Sequence, residues 1–84
     1  MNSGTITHVN PRRAMFIVRL DDADAFAVFS FNDGIDIAVG DRIWGDLRAL
    51  GPEQLLHLGQ GKPFKTVGQS GESTFQQAAR LVAP

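Results

Sequence analysis

This 84-residue chain offers little to bond-making chemistry: two histidines, nine acidic side chains and no cysteine. The absence of cysteine excludes a thiol nucleophile, a thiolate-bound zinc and a disulfide framework. His8 and His57 fall in opposite halves, in neither the His-x-His nor the His-Glu-x-x-His spacing that holds a metal on one face. Gly59-Gln60-Gly61-Lys62-Pro63 has the Gly-Lys of a phosphate loop, but Leu56 stands where that loop needs its first glycine and Pro63 where it needs a hydroxyl. Gly68-Gln69-Ser70-Gly71 lacks the Gly-x-Ser-x-Gly of a nucleophile elbow. Asp21, Asp22 and Asp24 lack the glycine and terminal Glu of a calcium loop, and read as a hydrated turn. The expectation is a chain that is not an enzyme and uses no metal or cofactor.

Binding is better served. Trp44 alternates with Arg42, Asp46 and Arg48, so one strand face would carry an indole between two guanidinium groups. Such a group stacks a base or anchors a protein partner, Trp and Arg being over-represented where partners bind tightly. Arg12, Arg13, Lys62 and Lys65 are the candidate phosphate contacts. The formal net charge of −1 excludes the basic footprint of a duplex-DNA binder. Residues 1–58 hold five Lys/Arg against eight Asp/Glu, residues 59–84 three against one, so attraction to phosphate is weak and sensitive to salt.

The elements that position these residues follow from the alternation. Residues 5–9, β-branched and ended by Asn10-Pro11, read as a strand. In residues 14–20, Phe16, Val18 and Leu20 share one face and Met15, Ile17 and Arg19 the other. Residues 25–31 carry phenylalanine on both faces, and Asn32-Asp33-Gly34 signals a turn. Residues 35–39 form an apolar connector. In residues 42–48, Ile43, Gly45 and Leu47 oppose Arg42, Trp44, Asp46 and Arg48. Gly51-Pro52 reads as a break, and residues 54–58 and 63–67 as two arms of a hairpin. A capping box on Ser73 and Gln76 opens a short helix within residues 73–82, with Phe75, Ala78, Ala79 and Val82 in one stripe. Two turns of helix do not stand alone, so this one must pack on the rest. Short strands with turn signals at regular spacing, in so few residues, favour closure of the sheet. The expected fold is all-β: one domain over residues 1–84, a small five-stranded antiparallel barrel with a C-terminal helix as plug or lid.

Residues 4–18, Gly-Thr-Ile-Thr-His-Val-Asn-Pro-Arg-Arg-Ala-Met-Phe-Ile-Val, resemble the opening of cold-shock domains, Gly-Thr-Val-x-Trp-Phe-Asn-x-x-x-Gly-Tyr-Gly-Phe-Ile. Ala27-Val28-Phe29-Ser30-Phe31 resembles that family's Val-Phe-Val-His-Phe, and Val39-Gly40-Asp41 resembles the Gly-Asp that opens strand four of many small barrels. The resemblance covers residues 4–47 and implies an OB-like barrel that binds single-stranded RNA or DNA on an exposed aromatic platform. The candidate nucleic-acid-binding residues are His8, Arg12, Arg13, Met15, Ile17, Val28 and Phe31, with Phe26 added as a further ring of the same strand should it lie exposed beside arginine. His8 stands at the family's Trp position, Met15, Ile17 and Val28 at three further ring positions, and Ser30 at its His; Phe31 alone keeps its ring. The family's two glycines fall on Ala14 and Phe16.

Two functions follow as expectations. One is a non-catalytic module binding single-stranded nucleic acid weakly. The other is a protein-interaction or self-association module that has lost that ligand, with Arg42, Trp44 and Arg48, or the Met15/Ile17/Val28 face, as anchor; the alternative for either face is that the C-terminal segment covers it, with Phe75 or Val82 on Trp44. Met1-Asn2-Ser3-Gly4-Thr5 has neither the charge nor the apolar run of a secretory signal. Apolar runs of about five residues are far short of the roughly 20 that span a bilayer, so no membrane partner and a cytoplasmic location are expected.

Overall fold

Strand periodicity accounts for most of the architecture, which a computed structural model describes for residues 1–32 and 34–84. Among these residues the chain forms β1 (Asn2–Asn10), β2 (Met15–Leu20), β3 (Phe26–Phe31), β4 (Arg42–Gly45), β5 (Gly51–His57), β6 (Lys62–Gly68) and α1 (Phe75–Val82). The strands close into an antiparallel barrel in the order β1-β2-β3-β6-β5-β4, with β4 returning to β1. The barrel thus has six strands where five were expected. The segment read as one strand over 42–48 ends at Gly45, because Asp46 turns the chain by accepting the Arg48 N–H on its side chain and the Ala49 N–H on its carbonyl. The chain re-enters the sheet at Gly51, and Pro52, read as part of a break, lies in β5 opposite Val67. The Asn32-Asp33-Gly34 turn has its centre outside the described residues.

The inner faces agree with the alternation. Ile6, Phe16, Val18, Leu20, Phe29 and Ile43 belong to one buried cluster. Phe16 stacks on Phe29 at 5.8 Å between ring centroids and meets Phe64 at 6.3 Å. β1 serves two neighbours, pairing Asn2–Thr5 with β4 and Gly4–Asn10 with β2. A bulge between Ile6 and His8 supplies the bend this requires.

β2 and β3 also bury their outer faces. Residues 69–73 run on beside β3: the Gln69 N–H donates to Val28 O, and Ser73 and Phe26 exchange both backbone hydrogen bonds. This return delivers α1 onto the outside of β2 and β3, where Ala78 and Val82 pack on Met15, Ile17, Val28 and Phe26. The capping box sits one residue later than expected. Ser73 spends its hydroxyl as well as its backbone on Phe26, so Thr74 becomes the N-cap: its Oγ1 accepts the Gln77 N–H at 3.2 Å, and its own N–H donates to Gln77 Oε1 at 3.0 Å. At the other end, Asn10 Nδ2 donates to Val82 O (2.6 Å) and Arg13 Nη1 to Ala83 O (2.8 Å). Among the described residues, no helix is long and apolar enough to cross a membrane.

Gly4 marks the tightest crossing of β1 over β2. A Cβ there would lie 2.5 Å from Arg19 O and 2.6 Å from Val18 Cγ2. Gly4→Ala is therefore expected to lower stability by roughly 1–3 kcal/mol through forced strand displacement. Urea unfolding checks this; an unchanged midpoint would show that β1 moves aside freely.

Candidate nucleic-acid interface

The residues singled out from the sequence divide into three groups. Met15, Ile17 and Val28 lie together on the outer wall as expected, but α1 covers them and leaves 7%, 1% and 0% of their surfaces exposed. With α1 docked they present no face to a ligand. The physical reason is that β2 and β3 are apolar on both sides, and the apolar stripe of α1 needs a partner.

Of the second group, Arg12, Arg13 and Phe31 gather at the end of the barrel where β1 turns into β2; His8 stands further back along β1, opposite Ile17, and Phe26, opposite Arg19, lies at the far end of β3 and is not brought to this turn. Asn10 shapes this turn: its Oδ1 accepts the N–H groups of Arg12 (3.1 Å) and Arg13 (3.3 Å). Ala14 then takes φ +52°, a left-handed conformation that costs an L-residue roughly 1–2 kcal/mol, and its carbonyl accepts the Phe31 N–H. This locks the turn against the end of β3. Beside it opens a cleft of about 440 Å³ lined by Arg13, Phe31, Asn32, Pro52, Lys65 and Val67, among others. Phe31 rests on Phe16 (5.8 Å) and stays half-exposed to the cleft. No Asp or Glu is among the described lining residues. An aromatic floor beside the Arg13 guanidinium suits an anion that carries a ring.

Phe26 is half-buried on the outer face of β3, 5.4 Å from Phe75 of α1. Phe75 in turn lies 5.2 Å from the exposed His8. The sequence placed Phe75 in the packing stripe of the helix, and its nearness to His8 has no local signal: sixty-odd residues separate the two.

Arg42, Trp44 and Arg48 form the third group. Trp44 is 40% exposed, facing Ser3 and Leu56 on the neighbouring strands, and α1 lies elsewhere, on β2 and β3. The flanking guanidiniums are committed. Arg42 grips Asp21 with both terminal nitrogens (2.9 and 2.5 Å), and Arg48 binds Asp22 (3.2 Å) and Glu72 (2.6 Å). Trp44 therefore sits in a neutralised surface, not between two open cations. The hydrogen bonds from Arg42 and then Ser3 hold the Asp21 carboxyl down at about 2. Arg48 likewise lowers Asp22, and both arginines are raised by these partners.

The two histidines have separate settings. His57 is 4% exposed; its Nδ1 accepts the Gln60 N–H (3.1 Å), so in the neutral ring Nε2 carries the proton and donates to Asp41 Oδ2 at 2.8 Å. Burial raises the Asp41 carboxyl, but the hydrogen bonds from His57 and the Ala38 N–H outweigh it and the net shift is downward. This pair ties the connector before β4 to the β5–β6 turn. Among the described residues, no three His, Asp or Glu side chains come together as a metal site.

No family model, curated protein or solved structure matches this chain.

The Asp21 pair yields a pH prediction. Its folded pKa lies below the unfolded value, so its stabilisation is present above about pH 4 and is lost as pH falls toward 2. Asp21→Asn should be less stable than wild type at pH 5, with the gap closing by pH 2. Urea unfolding at both pH values checks this, and a gap independent of pH would contradict it.

Proposed function

We propose that this chain is a non-catalytic module that binds single-stranded nucleic acid weakly, at the cleft between the β1–β2 turn and the ends of β3 and β6. The observation that carries this reading is the half-exposed Phe31 ring in a cleft that the Arg13 side chain also lines. The resemblance of residues 4–18 and 27–31 to cold-shock domains supports the same class of ligand and an OB-like relationship for the barrel. The burial of Met15, Ile17 and Val28 sets the strength. Each stacked base is worth about 1–3 kcal/mol, and the covered wall offers none. Each phosphate contact on a single strand adds a salt slope of about −0.7 in log K, so binding fades as salt rises.

A second reading has its own observation. Trp44, Leu56 and Pro63 face each other across β4, β5 and β6, forming an apolar row whose neighbouring arginines are already paired. Such a surface suits a protein, including a second copy of this chain, better than a polyanion.

An amide-resolved NMR titration with a pyrimidine hexanucleotide, as DNA and as RNA, at low salt separates the two. The proposal expects shifts around Arg13, Phe31 and Asn32 that shrink on adding salt. Silence there at low salt, with shifts around Trp44 that grow with protein concentration alone, would replace it with the second reading.

A further inference from the structure

We propose that α1 carries a second stacking site for the same strand, made by Phe75 and His8; this rests on the nucleic-acid reading above. The stripe of α1 is not evenly buried. Ala78 is completely covered, whereas Phe75, one turn earlier, remains 38% exposed. Its ring is fixed from two sides. Phe26 meets it edge-on at 5.4 Å and 66°, and His8 lies 5.2 Å away at 47°. The Thr74–Gln77 capping box fixes the backbone from which Phe75 projects. An open ring held by neighbouring rings is the arrangement on which bases stack, since every base has a π-face.

Next to this pair is a groove of about 590 Å³, lined by His8, Asn10, Arg12, Phe75 and Val82 among others, with no Asp or Glu side chain among its described lining residues. The two cavities adjoin. Consecutive residues divide between them, Arg13 lining the Phe31 cleft and Arg12 the Phe75 groove, with the turn held by Asn10 as the ridge. A strand crossing that ridge meets both guanidiniums, whose planar forks suit phosphate. The span is short. His8 pairs with Ile17 on one side of β2, and Phe31 is bonded on the other side to Ala14, three residues earlier; about 10 Å along the strand and about 10 Å across it put the two about 14 Å apart. An oligonucleotide of a few residues reaches both sites, whereas a dinucleotide seated on Phe31 does not need the second. On this view α1 covers one set of side chains and supplies a ring of its own at the rim.

Fluorescence anisotropy with labelled dT6 and dT2 at low salt tests this on the full chain. Phe75→Leu keeps an apolar side chain at the start of α1 and removes the ring. It is expected to weaken dT6 binding by roughly tenfold and leave dT2 unchanged. His8→Ala, at an exposed strand position, is expected to weaken dT6 in the same direction, which keeps the test valid should Phe75→Leu loosen the helix. Phe31→Ala should weaken both oligonucleotides. If both Phe75→Leu and His8→Ala bind dT6 as wild type does, the second site is overturned and the cleft reading stands. If wild type binds neither oligonucleotide, both are overturned. If Phe75→Leu instead abolishes a self-association of the free chain, the site belongs to a protein partner and the proposal also fails.

Discussion

β2 and β3 are apolar on both faces, and a closed barrel can bury only one of them. Phe16, Val18 and Phe29 go inward; Met15, Ile17 and Val28 are left outside. Full burial of one such side chain is worth roughly 1.5–3 kcal/mol. Three of them weigh heavily against the roughly 5–15 kcal/mol that stabilises a whole domain. The chain meets this constraint with its last residues. β6 runs on beside β3, Ser73 bonds to Phe26, and α1 lies down on the exposed wall with its end tied to Asn10 and Arg13. A two-turn helix that would be unstable alone and a wall that would be unstable bare each solve the other's problem.

This arrangement decides where a ligand can approach. The middle of the β2–β3 wall is filled, so the open ground lies at its rim, where the Asn10 turn presents Arg12 and Arg13 on either side of a ridge. Charge is sorted along with shape. Arg42 and Arg48 are occupied by Asp21, Asp22 and Glu72, and the last of these pairs also steadies the segment leading to α1. Arg12 and Arg13 line the two cavities, and the bond Arg13 gives to Ala83 O leaves its charge unneutralised by that partner. A net charge of −1 is thus compatible with a local anion site, since Asp21, Asp22 and Glu72 spend their charge on Arg42 and Arg48.

Local alternation was a sound guide to faces. It put Phe16, Val18 and Leu20 inside, grouped Ile43 with Leu47, and left Arg42 and Trp44 outside. It failed where a turn depended on side-chain hydrogen bonds. Asp46 stops β4 at Gly45 and lets β5 start earlier, at Gly51, and Ser73 yields the cap to Thr74 because Phe26 claims its hydroxyl. The candidate site was legible in part. Arg12, Arg13 and Phe31 stand out from their own surroundings in the sequence. The burial of Met15, Ile17 and Val28, and the meeting of Phe75 with His8, depend on how the last residues pack on β2 and β3, contacts that span most of the chain. The short apolar stripe of α1 does require a partner, and the Met15/Ile17/Val28 face is one candidate for that cover; spacing alone does not choose it over the Trp44 face.

The central claim is that α1 is a permanent part of the wall, and that a strand binds around it. Amide hydrogen exchange of the full chain, with and without saturating dT6, tests this most directly, because exchange reports the opening of individual elements. The account predicts that the amides of α1 and of Met15 and Val28 exchange no faster in the complex than in the free protein. Faster exchange throughout α1 on binding, with β2 and β3 still protected, would contradict it: the helix would then be a lid that the ligand displaces, and the buried wall would be the binding surface.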